Sequence, residues 1–198
     1  MAFIEKTAFE AFLTNNSNDT LCNVAGLYQA SGANADCSAG LLVVRNGKTP
    51  CEGYPAGVVN DNTWYMNAAG ATDTADDVVY ACNTYDNQLL PGTGSNRYFI
   101  GRATLGLGVP AGRYGNFTRI NFDNESQYAF GEGNLTAALG QNTFLTIGAG
   151  GLLTPAAAAP TDVGAIYFKV ERVTNFVEGN QDSFGKIIVT ACKVSTAA

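Results

Sequence analysis

The sequence predicts an all-β protein, and three observations carry that expectation. Roughly ten short segments rich in β-branched and aromatic residues recur at about 8–20-residue spacing, split by Gly, Asn and Pro. The clearest of them, Ile166 to Val173 (IYFKVERV), has a candidate partner in Val189 to Val194 near the C-terminus. Between them and the middle of the chain, Asn142 to Ile147 reads as a strand that runs into a glycine turn at Gly150 and Gly151. A small-residue loop follows, with Pro155 and Pro160 at its ends. The expected architecture is two small β-barrel- or sandwich-like modules with a short N-terminal helix or arm. The expected boundaries are 1–20 for the arm, 21–90 for the first module and 95–198 for the second.

Taken in order, residues 2–13 place Phe3, Ile4, Ala8, Ala11 and Phe12 near a helical spacing, which predicts a short amphipathic helix. Its apolar residues Phe3, Ile4, Phe9 and Phe12 are the candidate contacts for a partner; the other reading is a segment folded back on the body. Asn15 to Asp19 is turn material, and Leu21 to Ala30 reads as the first strand. Leu41 to Arg45 is a strand, and Asn46-Gly47 after it predicts a tight hairpin, because both residues tolerate positive φ. Lys48 to Val59, with Pro50, Gly53, Pro55 and Gly57, reads as a loop or edge segment. Thr63 to Met66 is a short aromatic strand whose Trp64 anchors a core, and Val78 to Thr84 is another strand.

Asp86 to Asn96 is the expected linker, followed by strands at Arg97 to Arg102, Phe117 to Phe122 and Tyr128 to Phe130, the last ending in a turn at Gly131-Glu132-Gly133. Ala68 to Ala81 (AAGATDTADDVVYA) and Ala156 to Lys169 (AAAAPTDVGAIYFK) both run from an alanine loop through Thr-Asp into an aromatic-bearing strand. Each follows a strand and a glycine turn, so the halves read as two related β modules or as a coincidence of composition.

Composition bounds the function. Hydrophobic residues make up 46%, enough for a packed core. Charged residues make up 14%, against about 25% in ordinary globular chains, which suits a chain that works against other protein. The net charge is −6 and the few Lys and Arg are scattered, so neither nucleic acid nor a membrane surface is an expected partner. No run approaches the roughly 18 apolar residues of a membrane span. The first twelve residues carry Glu5 and Glu10 and do not read as a secretory leader.

The chain has no histidine, which removes the commonest general base, metal ligand and pH switch. Cys22, Cys37, Cys51, Cys82 and Cys192 contain no CxxC pair and read as reduced and mostly buried, with a Cys22–Cys37 or Cys37–Cys51 bridge as the alternative. Five Asn-X-Ser/Thr sequons, at Asn15, Asn18, Asn116, Asn124 and Asn134, read as by-products of an Asn- and Thr-rich chain.

Candidate chemistry is sparse. Asp73, Asp76 and Asp77 lack the spacing of a calcium loop and read as a solvated loop. Nothing fixes the separation of Glu125 and Glu132, the one imaginable acid/base pair. The glycines at 101–108 and 148–151 do not open helices, so neither reads as a phosphate cradle. Tyr54, Trp64, Tyr65, Tyr80 and Tyr85 are candidates for a sugar-binding face. No catalytic residue, metal ligand or cofactor is expected, and the chain reads as a non-enzyme.

Residues 97–194 resemble bacteriophage capsid decoration, or head-stabilising, proteins. The resemblance lies in GRATLGLGVPAGRYGNF (101–117), FGEGNL (130–135), TFLTIGAGGLLTPAAAAPTDVGAIYFKV (143–170) and the final strand KIIVTACKV (186–194). It covers about half the chain, and the extra N-terminal module departs from the smallest members of that family. The resemblance implies a structural virion protein, assembled in a host cytoplasm, that binds the outside of an expanded shell. It further implies a homotrimer at three-fold positions, bridging subunits of the major capsid protein against the pressure of packaged DNA. The alternative is a carbohydrate- or receptor-binding β-module on a virion or cell surface. Ile166–Val173 or Val189–Val194 is the expected edge for pairing with a partner strand.

Overall fold

A computed structural model describes residues 4–12, 23–51, 53–73, 79–83, 108–178 and 182–195. The chain is all-β, with more than half of the described residues in strands. Its strands are β1 (Phe9–Phe12), β2 (Asn23–Ala30), β3 (Ala33–Asn34), β4 (Leu42–Pro50), β5 (Val59–Ala68) and β6 (Val79–Cys82), then β7 (Tyr114–Arg119), β8 (Gln127–Gly131), β9 (Phe144–Ile147), β10 (Leu153–Ala156), β11 (Ile166–Glu178) and β12 (Asp182–Lys193).

The first sheet has the order β3-β2-β5-β4-β6-β7, and β2 also pairs with β7. That second pairing closes five strands into a barrel. All its pairings are antiparallel except β2 with β5, which runs parallel from Ala25↔Thr63 to Gln29↔Asn67. Tyr28, Val43, Met66, Tyr80, Cys82, Val109 and Phe117 cluster in one core. The second sheet has the order β1-β8-β12-β11-β9-β10. Phe130, Leu145, Leu153, Phe168, Ile187 and Val189 make its core, joined by Leu42, Val79 and Ala81 from the barrel wall. Strand β6 shows why: Val79 and Ala81 belong to the second core and Tyr80 and Cys82 to the first, so all four residues are buried. Each large side chain removed from water contributes about 1.5–3 kcal/mol. The aromatics add specific contacts, with Phe130 edge-on to Phe168 at 5.6 Å and Phe122 tilted on Phe168 at 5.3 Å.

The two units share one topology. The barrel, without β3, runs β5-β4-β6-β7-β2; the second sheet, without β1, runs β10-β9-β11-β12-β8. In chain order both read third, second, fourth, fifth, first. Inward pairs correspond: Val43↔Tyr80 with Leu145↔Phe168, and Val24↔Phe117 with Tyr128↔Val189. The similar sequences at Ala68–Ala81 and Ala156–Lys169 lead into β6 and β11, which hold the same place in their units.

The units differ at the closure. After Gly131 the chain makes a single 3-10 turn, Glu132–Asn134, and the parallel pairing shrinks to one bridge, Leu135↔Leu153. β1 takes the edge of β8 left open, with Phe9 opposite Phe130.

Several expectations are corrected. Phe9–Phe12 is a strand and not a helix, because alternation across a sheet edge buries Phe9 while Glu10 reaches Lys186. Asn46-Gly47 is no hairpin. β4 runs straight through it, and the two residues stand opposite Tyr65 alone between Arg45↔Met66 and Lys48↔Trp64. This is a β-bulge, with Gly47 at φ +82 supplying the conformation it needs. Pro155 lies in edge strand β10, where its missing N–H costs no ladder bond, and Pro160 lies in the following loop. β12 is an interior strand between β11 and β8, whereas β9 covers the other side of β11 only at Phe168 and Lys169. The sheets also cut across the 21–90 and 95–198 division, since β7 fills the barrel's last gap and β1 joins the second sheet. The expected linker 86–96 and the strand at 97–102 lie outside the described residues.

Candidate contact surfaces

The N-terminal segment is tied to the body at every turn. The Ile4 N–H donates to Ser38 Oγ at 2.9 Å, and the Gly133 N–H to the Lys6 carbonyl at 3.0 Å. Lys6 pairs with Glu132 at 2.8 Å, and Glu10 bonds Lys186. Phe9 is 3% exposed, stacked on Tyr128 at 5.9 Å and tilted on Phe130 at 5.5 Å. It is core and not a partner contact. Ile4 keeps 38% of its surface. Phe3 lies outside the described residues, and Phe12 is placed only as the last residue of β1.

Asn134 holds this region together. Its Oδ1 accepts the Ala8 N–H at 3.1 Å and the Gly131 N–H at 3.0 Å, and its Nδ2 donates to the Ala39 carbonyl at 2.7 Å. One buried amide thus joins β1, β8 and the barrel loop before β4. The Asn134 sequon is closed by that burial. The glycine turn between β9 and β10 makes a second clasp: the Gly151 N–H donates to the Ala69 carbonyl at 2.8 Å. Gly150 and Gly151 have φ of +70 and +77, so this predicted turn stands where the sequence put it.

Among the described residues, the most exposed apolar group lies away from the N-terminal segment. The loop between β4 and β5 carries Tyr54 (66% exposed), Val58 (42%) and, at the start of β5, Val59 (47%). The loop is braced by Cys51 N–H to Val58 O at 3.0 Å and Val58 N–H to Pro55 O at 3.1 Å, with Gly53 and Gly57 at positive φ. Its sequence signal was two glycines and two prolines between apolar residues. Behind it, the Arg45 guanidinium lies over Trp64 at 4.3 Å and over Tyr80 at 4.9 Å. Lys48 bonds Asp61, and that hydrogen bond holds the Asp61 carboxyl below its ordinary value. Of the five candidate aromatics, Tyr80 is core, the Trp64 ring is covered by Arg45, Tyr65 is half-buried opposite Leu27, Tyr54 stands at the loop tip, and Tyr85 lies outside the described residues.

The acidic candidates do structural work. Asp73 Oδ2 accepts the Gly70 N–H at 2.6 Å, closing a turn; Asp76 and Asp77 lie outside the described residues. Glu125 and Glu132 sit at opposite ends of β8. The Lys6 hydrogen bond, with another from the Gly185 N–H, holds the Glu132 carboxyl below its ordinary value. Burial alone would push Asp123 up. Bonds from the Ser126 hydroxyl and the N–H groups of Ser126 and Glu125 outweigh it and hold the carboxyl down.

Among the described residues, no group of three or more Cys, Asp or Glu gathers as a metal site. Cys37, Cys51, Cys82 and Cys192 are free thiols, and burial pushes the Cys37 thiol well above its ordinary value. A cleft of about 400 Å³ beside the barrel is bounded by Tyr28, Asp36, Ser38 and Asn67. Burial pushes the Tyr28 phenol up to about 12, and the Asp36 carboxylate accepts the Ala111 N–H at 2.8 Å. The cleft presents hydrogen-bonding groups without a converging acid and base. No helix among the described residues is long and apolar enough to cross a membrane.

In comparison with known proteins, the sequence matches no family model, no curated protein and no solved structure.

Proposed function

We propose that this protein is a structural component of a phage head. It binds the outside of the expanded capsid as a decoration or cement protein and bridges neighbouring subunits of the major capsid protein. The observation that carries this reading is the braced loop at Cys51–Val59, which holds Tyr54, Val58 and Val59 out in water. A rigid apolar tip loses little conformational entropy on docking. The low charge of the chain and the resemblance of residues 97–194 to decoration proteins support the same reading. Many modest contacts, each made on a shell that presents the site repeatedly, would give tight occupancy without bond-making or a cofactor.

The test adds purified protein to expanded, DNA-free heads assembled from the cognate major capsid protein. Saturable co-sedimentation that weakens on replacing Tyr54 and Val58 by Ser supports the reading. No co-sedimentation at any concentration overturns it.

A further inference from the structure

Among the described residues, part of β11 has no partner strand on one side. β11 (13 residues) and β12 (12 residues) pair with each other along their length. On the other edge of β11, β9 covers only Phe168 and Lys169, and the Val170 N–H reaches the Thr143 carbonyl at 2.8 Å. A bulge at Glu171 follows. From Arg172 to Glu178 nothing among the described residues pairs with that edge. Residues 171–175 are exposed, and Val173 keeps 54% of its surface in water. Val173 also lines an apolar cleft of about 500 Å³ with Leu135, Leu139 and Ile187, so apolar surface lies along the same strand.

The sequence of this edge is complementary to itself. Set antiparallel about Asn175, Arg172 stands opposite Glu178, Val173 opposite Val177 and Thr174 opposite Phe176. Opposite charges, a Val–Val pair and a Thr–aromatic pair set across strands are arrangements that stabilise a ladder. An edge defended against pairing carries like charges or lysines; this one carries opposite signs at symmetric positions.

We propose that the occupant is a second copy of this chain, paired edge to edge through Arg172–Glu178. Because the same surface serves both copies, the pairing closes as a two-fold dimer. The number it gives is two, in place of the three implied by the resemblance to decoration proteins. The dimer does not depend on head binding.

Sedimentation equilibrium of the full chain tests it with a charge swap. Wild type is expected to dimerise. Arg172→Glu and Glu178→Arg each set like charges opposite one another at both symmetric positions, and each raises the dimer dissociation constant about tenfold or more. The double variant restores opposite pairs and returns the constant to within about threefold of wild type. Circular dichroism and thermal melts establish that the single variants are folded, and the rescue itself separates lost pairing from lost folding. A monomeric or trimeric wild type, single variants that dimerise normally, or a double variant that fails to recover would each overturn the proposal. Head binding is read in a different experiment, so failure of one leaves the other to be judged separately.

Discussion

Asn134 Nδ2 donates to the Ala39 carbonyl oxygen at 2.7 Å, and the two residues belong to different units of the fold. The same amide accepts N–H groups from Ala8 and Gly131. Replacing Asn134 by Leu keeps the size and removes every one of these bonds; the Gly131 N–H keeps the Ala8 carbonyl at 3.1 Å, while the Ala8 N–H and the Ala39 carbonyl lose the partner that Asn134 supplies. Each orphaned group costs about 1–3 kcal/mol, so the variant is expected to lose about 2–4 kcal/mol. Urea unfolding checks it; a loss below about 1 kcal/mol would mean that the clasp is not where the units are held.

Gly150 and Gly151 give a comparison within one turn. Both have positive φ, but a Cβ on Gly150 meets nothing within 4 Å, whereas one on Gly151 would lie 2.2 Å from the Leu42 carbonyl oxygen. Gly150→Ala is therefore expected to cost only the left-handed penalty, about 1–2 kcal/mol. Gly151→Ala must also push the hairpin off the barrel, and is expected to cost more than about 3 kcal/mol or to prevent folding. Equal costs, measured by thermal or urea unfolding, would contradict the close approach.

How much of this was legible in the sequence follows from what each element depends on. Strands that pack on both faces, such as Val79–Cys82, and the glycine turn at 150–151 are local patterns and were read correctly in kind. Asn46-Gly47 misled because the same backbone freedom serves a hairpin and a bulge, and only the pairing with β5 chooses between them. Phe9 misled because five apolar residues in a short segment fit a helix as well as an edge strand, and Phe130 lies far along the chain. The Thr-Asp similarity between the halves was faint in sequence, yet the strands it leads into hold equivalent places. Asn134 gave no signal beyond an incidental sequon, since two of its three partners, Ala8 and Ala39, reach it only in the fold.

Asp123 predicts an acid limb. Its folded carboxyl lies below the ordinary value of 3.8, because the bonds from Ser126 and Glu125 outweigh burial. A depressed carboxyl contributes stability that is fully present above the unfolded value and is lost as pH falls through the folded one. The urea midpoint is therefore expected to fall below about pH 4 in wild type, and to fall less steeply there in Asp123→Asn. Parallel curves for the two proteins would contradict the assignment.

Tyr54 predicts a split between stability and binding. At 66% exposure it contributes little to the core. Tyr54→Ser is expected to leave the melting temperature within about 2 °C of wild type, since surface changes of this kind stay within about 0.5 kcal/mol. The same variant is expected to lower occupancy on heads. A variant that melts earlier and binds as well as wild type would move the contact surface elsewhere.

The most direct measurement is the amount of this chain in purified phage particles, quantified by mass spectrometry against the major capsid protein. The account predicts a fixed ratio between the two that survives repeated purification. It also predicts that stripping the chain leaves an intact but more fragile shell. Particles that contain none of it, and heads of equal strength with and without it, would contradict the account.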